Sequence, residues 1–166
     1  DWSSDVCSSD LLTTPSGYSS ASAQAVSADG AVIAGDFTSD ADGFERRAFR
    51  WTRATGMVDL GPWDRRGADS TGISVDGMST DGAVILGSVW FTSFGTSRTE
   101  YRVFRWTAAT GIVILDPLPG DTDVDFGCLS ANGAVVCGQS IRYDAGTGRP
   151  HARAFRWTAA TGTQSL

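Results

Sequence analysis

Apolar and polar residues alternate with a period of two along much of this chain, the spacing of strands whose side chains face opposite sides of a sheet. Phe49-Arg50-Trp51-Thr52 shows the pattern most plainly, and it returns as Phe104-Arg105-Trp106-Thr107 and Phe155-Arg156-Trp157-Thr158. Each copy runs into the same turn, Ala54-Thr55-Gly56, Ala109-Thr110-Gly111 or Ala160-Thr161-Gly162, at a period of about fifty residues that marks a repeat architecture. A second hairpin precedes each copy. Ser27-Ala28-Asp29-Gly30, Ser79-Thr80-Asp81-Gly82 and Ser130-Ala131-Asn132-Gly133 each lead into an apolar run that ends in Gly35, Gly87 or Gly138. Ser, any residue, Asp or Asn, then Gly suits a type I turn closing on a left-handed residue, a conformation that glycine takes at least cost.

Each unit therefore reads as four strands, a to d, joined by a tight a–b turn, a long b–c loop and a short c–d turn. The expectation is an all-β fold: three four-stranded antiparallel blades of an incomplete β-propeller, over residues 22–60, 72–115 and 126–166. A β-solenoid is the main rival. Residues 12–21 read as a lead-in loop. Residues 1–11 match nothing in the repeats, resemble one reading frame of a sequencing adapter, and are expected to be a non-native artefact, which would make the chain a fragment. A four-residue c–d loop would set Trp51 against Val58, Arg50 against Asp59 and Phe49 against Leu60, pairing like with like. In the other units it would pair Phe104 with Leu115 and Phe155 with Leu166.

The residues of these units resemble the HAF family of extracellular repeats. Ala48-Phe49-Arg50-Trp51-Thr52, the Ala-Thr-Gly turn, Met57-Val58-Asp59-Leu60-Gly61 and Val26-Ser27-Ala28-Asp29-Gly30-Ala31-Val32 carry the likeness, which covers most of residues 22–166. The family is named for a His-Ala-Phe start to strand c; here Arg47, Arg102 and Arg153 stand at the His position. The resemblance implies bacterial secreted or cell-surface proteins, and hence an extracellular or cell-surface location. The unit is also similar, more distantly, to a WD-repeat blade.

Composition narrows the function classes. The 166 residues carry a net charge of −6, part of it from Asp1, Asp5 and Asp10, and this mild acidity argues against nucleic acid as a partner. No apolar run approaches the length of a membrane span. All thirteen basic residues are Arg.

Catalytic constellations are not apparent, so no enzyme activity, cofactor or metal is expected. The single histidine, His151, reads as a solvated loop residue. The Asp-rich runs 121–125 and 40–45 do not complete a calcium loop, since Phe126 stands where the turn glycine belongs. Phe49, Trp51, Phe104, Trp106, Phe155 and Trp157 recur at repeat spacing and are expected between blades. Trp63, Arg65, Arg66, Trp90, Phe91, Phe94 and Tyr143 do not recur and are assigned to the long b–c and d–a connections, which an antiparallel meander gathers at one end. That end is the expected ligand-binding surface of a binding or adhesion module, its partner a glycan or protein. The alternatives are part of a propeller lyase or glycosidase, or a structural spacer. Further partners would be the remaining blades of a longer chain, or self-association.

Cys128 and Cys137 are the candidates for a disulfide. A two-residue turn at Asn132-Gly133 would set them opposite each other. A type I turn closing on Gly133 would set Cys128 against Val136, and the turn chemistry favours this second register.

Overall fold

The computed structural model describes residues 16–39, 46–61, 70–93, 95 and 98–166. They form three four-stranded antiparallel sheets, each in sequential order. Sheet 1 comprises β1 (Tyr18–Val26), β2 (Val32–Ser39), β3 (Arg46–Thr52) and β4 (Gly56–Asp59). Sheet 2 comprises β5 (Ser70–Met78), β6 (Val84–Ser93), β7 (Arg98–Thr107) and β8 (Gly111–Ile114). Sheet 3 comprises β9 (Asp123–Leu129), β10 (Val136–Tyr143), β11 (Pro150–Thr158) and β12 (Gly162–Ser165). No helix occurs among the described residues. The first strand begins at Tyr18, inside the stretch read as a lead-in loop, because alternation there is hidden by Ser and Ala on both faces.

The Ser-x-Asp/Asn-Gly turns form as their chemistry requires. In sheet 1 the Ser27 hydroxyl donates to Asp29 Oδ1 at 2.6 Å and accepts from Val32 N at 2.9 Å, while Ala31 N donates to the same carboxylate oxygen. Ser79 with Asp81 and Ser130 with Asn132 repeat the arrangement. Gly30, Gly82 and Gly133 close the turns at φ 72°, 66° and 70°.

The c–d turns differ from expectation by one residue. Thr52 pairs with Gly56, so three residues intervene rather than four, and the pairs become Trp51–Met57, Arg50–Val58 and Phe49–Asp59. The same shift gives Phe104–Ile114 and Phe155–Ser165. The cause is the threonine that ends each motif. Thr52 Oγ1 lies 2.7 Å from Thr55 Oγ1 and accepts from Thr55 N at 3.2 Å, drawing the loop tight. Thr107 with Thr110 and Thr158 with Thr161 do likewise. Arg50 therefore does not meet Asp59. Asp59 pairs with Arg47, its diagonal neighbour on the same face, at 2.7 Å.

The register gives each sheet two distinct faces. One carries Phe49 and Trp51 or their equivalents and will be called the Phe face; the other carries Arg50 or its equivalents, the Arg face. On the Phe face the ring of Phe49 or Phe104 lies across Gly35 or Gly87 of the neighbouring strand. A Cβ at Gly87 would sit 2.3 Å from the Phe104 ring and 2.1 Å from the Ser74 carbonyl. Strand a bulges opposite this glycine in every unit, with one extra residue such as Gln24 or Asp76.

Consecutive sheets pack Arg face onto Phe face. Ala34, Ala48 and Leu60 of sheet 1 form one core with Ile73, Val75, Ile85, Val89, Phe91 and Phe104 of sheet 2. Leu86, Val103 and Leu115 of sheet 2 form the next with Val124, Val136 and Phe155 of sheet 3. Phe49, Phe104 and Phe155 are fully buried, whereas Trp51, Trp106 and Trp157 are half-buried, nearer the turn end. The sheets are also pinned by hydrogen bonds. Ala28 N donates to Thr80 O at 2.9 Å and Thr80 N to Ala131 O at 2.8 Å. Arg50 Nε donates to Gly82 O at 3.4 Å, and Arg105 donates through Nε and Nη2 to Gly133 O at 3.2 Å. Arg105 also lies 5.7 Å from the ring centre of Trp157.

Candidate functional site

The two ends of the sheets differ in character. At the turn end the stacked Ser-x-Asp/Asn-Gly turns line a shallow groove of about 500 Å³ with Ala28, Asp29, Thr80, Asp81, Ala131 and Asn132. Its polar groups are committed to the turns themselves: the Asp29 and Asp81 carboxyls are held below the ordinary carboxylate range first by the Ser27 and Ser79 hydroxyls and then by the Ala31 and Ala83 amides.

The loop end carries the uncommitted chemistry, and sheet 3 shows it best. The β10–β11 register sets Arg142 opposite His151 and Ser140 opposite Arg153, so all four share the Phe face. Ser140 and Arg153 anchor the site. Asp121 Oδ2 accepts from the Ser140 hydroxyl at 2.7 Å and from Arg153 Nε at 3.1 Å, and Arg153 Nη2 donates to Pro119 O at 3.0 Å. The Ser140 hydroxyl in turn accepts from Leu118 N at 2.9 Å. This network ties the connection between sheets 2 and 3 to the sheet and fixes the floor of a pocket of about 160 Å³ lined by Pro119, Asp121, Arg142, His151 and Arg153.

Arg142 and His151 are exposed and also line an adjoining pocket of about 370 Å³ with Tyr143, Asp144 and Ala145. Asp144 organises the b–c loop of this unit: its Oδ1 accepts from Gly146 N at 2.9 Å and its backbone carbonyl accepts from Gly148 N at 2.7 Å. The Gly146 amide is the chief cause of its lowered pKa, with a smaller pull from His151. The Tyr143 phenol is pushed up, by burial first and then by the carboxylates of Asp123 and Asp125, so it remains a neutral hydrogen-bond donor. Tyr101 reaches the same corner from sheet 2: its amide donates to Asp123 Oδ1 at 2.8 Å, and its ring is exposed, as is that of Tyr143.

Of the residues singled out in the sequence, Tyr143 stands at this surface. Trp90 and Phe91 do not belong to a connection, because β6 runs on to Ser93. Phe91 is buried in the core between sheets 1 and 2, and Trp90 lies across Gly72, where an added Cβ would meet its ring at 1.9 Å. Trp63, Arg65, Arg66 and Phe94 lie outside the described residues. His151 is a strand residue rather than a loop residue. Sequence reasoning missed Arg142, Arg153 and Tyr101: cross-strand register sets Arg142 against His151 and Arg153 against Ser140, and a contact between sheets brings Tyr101 to Asp123.

The arginines at the His-Ala-Phe position each meet a carboxylate, drawn from a different place each time. Arg47 pairs with Asp59, Arg102 with Glu100 at 3.2 Å, and Arg153 with Asp121 at 2.9 Å. Asp121 is bound to Arg153 and Ser140, and Asp123 to the Tyr101 amide and the Thr122 hydroxyl. Among the described residues no group of three or more His, Cys, Asp or Glu is arranged to hold a metal.

Cys128 and Cys137 are directly opposite in the β9–β10 register, and both are free thiols. The turn is indeed a type I turn closing on Gly133, with Gly133 N donating to Ser130 O. Ala134 follows as a further loop residue before Val135 pairs with Ser130, and this restores the facing register that the turn chemistry alone disfavoured. The Cys137 pKa is raised, by burial first and then by Cys128.

No protein-family model matches the chain, and no curated protein matches it. Among solved structures it is similar to a protein described as TolB from Agrobacterium tumefaciens, at 17% identity and a TM-score of 0.49 over 93% of this chain. It is also similar to the hydrazine synthase of Kuenenia stuttgartiensis, at 12% identity and a TM-score of 0.48 over 85% of this chain. Both have β-propeller-like folds. The chain spans half the length of the first and 40% of the second.

Proposed function

We propose that the three sheets are successive blades of an incomplete β-propeller and that the protein is an extracellular or cell-surface binding module whose loop end takes an acidic glycan. The serial stacking of Arg face on Phe face, with strand a bulged opposite its glycine in every unit, supports the blade reading. The resemblance of the repeats to extracellular HAF units supports the location. The described residues contain no helix long and apolar enough to cross a membrane.

The observation that carries the ligand class is the exposed Arg142–His151 pair, opening onto two adjoining pockets beside Tyr143. Arg142 offers a planar fork of donors that matches a carboxylate, and Tyr143 offers a flat apolar ring with a hydroxyl that suits the face of a sugar. Asp121 holds Arg153 in place below them, so a ligand carboxylate meets one cation already positioned.

A glycan array probed with the whole protein tests this reading. Sialylated and uronic-acid glycans should be retained over their neutral counterparts, and Arg142→Ala should abolish the preference. Retention of neutral glycans alone, or acidic binding untouched by Arg142→Ala, would reject it.

A further inference from the structure

The contact between consecutive sheets is built from the same three parts each time. A valine on the Arg face of one sheet fills the space over the turn glycine of the next: a Cβ at Gly82 would lie 2.7 Å from Val32, and one at Gly133 would lie 2.4 Å from Val84. The motif arginine, Arg50 or Arg105, donates to the carbonyl of that same glycine. An amide in the turn, of Ala28 or Thr80, donates to the carbonyl of the equivalent residue in the next turn.

Sheet 3 presents the donor half of this contact, and no other sheet of the described residues lies opposite it. Ala154 and Leu166 are exposed, although their equivalents Ala48 and Leu60, and Val103 and Leu115, are buried. Cys137 is exposed where Ala34 and Leu86 are buried. Arg156 is exposed, and Val135 stands where Val32 and Val84 fill their slots. Sheet 1 presents the acceptor half. Gly30 has the same positive φ as Gly82 and Gly133, yet no atom lies within 4 Å of where its Cβ would be. On the same Phe face Ile33 is half-buried and Ala21 and Ala23 are exposed, where their equivalents Ile85, Ile73 and Val75 are buried.

From these two complementary halves we infer that a second copy of this chain docks head to tail, its Phe face of sheet 1 on the Arg face of sheet 3. In that contact Val135 fills the slot over the partner copy's Gly30. Arg156 donates to that glycine's carbonyl, and the Ala131 amide donates to the carbonyl of the partner copy's Ala28. Cys137, which sits at the position held elsewhere by buried Ala34 and Leu86, becomes interior. The interface is heterologous, so two copies can close a ring or further copies can extend it. This inference rests on sheet stacking and not on the ligand at the loop end, so either can fail without the other.

Sedimentation velocity on the whole chain, from low to high micromolar concentration, reads the association. The mass should rise with concentration above the 17.4 kDa of one chain. Ala131→Pro removes only the unused amide, at the second position of a type I turn where proline is favoured. Combined with Arg156→Ala it should shift association to at least roughly tenfold higher concentration, as the loss of two hydrogen bonds implies. Arg149→Ala at the opposite end should leave association unchanged. Arg156→Ala alone, at an exposed side chain, keeps the test valid if the proline variant folds poorly. A monomer at every concentration, or an oligomer indifferent to Arg156→Ala, overturns the inference.

Discussion

Phe104 and Gly87 show at the scale of single residues how closely the repeat motif packs. The phenylalanine is completely buried because the glycine opposite leaves room for its ring, and that ring also faces the core of the preceding sheet. Phe104→Ala should cost about 3–5 kcal/mol, as large buried aromatics do. Gly87→Ala should cost at least about 1–3 kcal/mol although it adds a single methyl, because one of the atoms it meets is a backbone carbonyl that cannot move aside. Tyr143→Ala, at an exposed site, should be close to neutral. Denaturant midpoints would show this order, and a neutral Gly87→Ala would contradict it. The motif phenylalanines were legible as core from their spacing. The motif tryptophans were placed with them, and Trp106 and Trp157 do pack against the same cores between sheets, but they stay half-buried because they sit two residues nearer the turn end. Phe91 was misplaced because its surroundings in sequence look like a loop, and only the length of β6 carries it into the core.

Turns and hairpins show how far local chemistry reaches. The strand order and the a–b turns were legible because Ser, Asp or Asn, and Gly each have one role there. The c–d register was not. Pairing charge with charge favoured Arg50–Asp59, but a threonine clasp shortens the loop by one residue and turns Asp59 toward Arg47. The cysteine register likewise hinged on one loop residue, Ala134, that turn type alone does not count. The a–b turns also carry a pH signature. Asp29 and Asp81 have pKa values depressed in the folded state, so their contribution to stability is complete above the ordinary carboxylate pKa, near 3.8. It is lost as pH falls below that value through the folded pKa. The third turn uses Asn132, whose oxygen accepts the same two hydrogen bonds without a charge. Replacing Asp29 and Asp81 with Asn should therefore leave the fold intact and flatten the fall in stability below about pH 4. Thermal melts across that range would check it, and an unchanged acid transition would show that these carboxylates do not govern it.

Across the whole molecule, the repeat period announced equivalent units, and stacking turned them into one body. What the period could not show is which face meets which, because that depends on the register within each sheet. Once the register is known, Arg50 and Arg105 become clasps between sheets, and the loop end is left as the surface that exposes Arg142, His151 and Tyr143. Everything above that scale rests on the contact of a valine with the next turn's glycine. Methyl-resolved nuclear Overhauser spectroscopy measures it directly. The account predicts cross-peaks from the Val32 methyls to the Gly82 α-protons and from the Val84 methyls to those of Gly133. Methyls of Val32 and Val84 that show contacts only within their own sheets would contradict it.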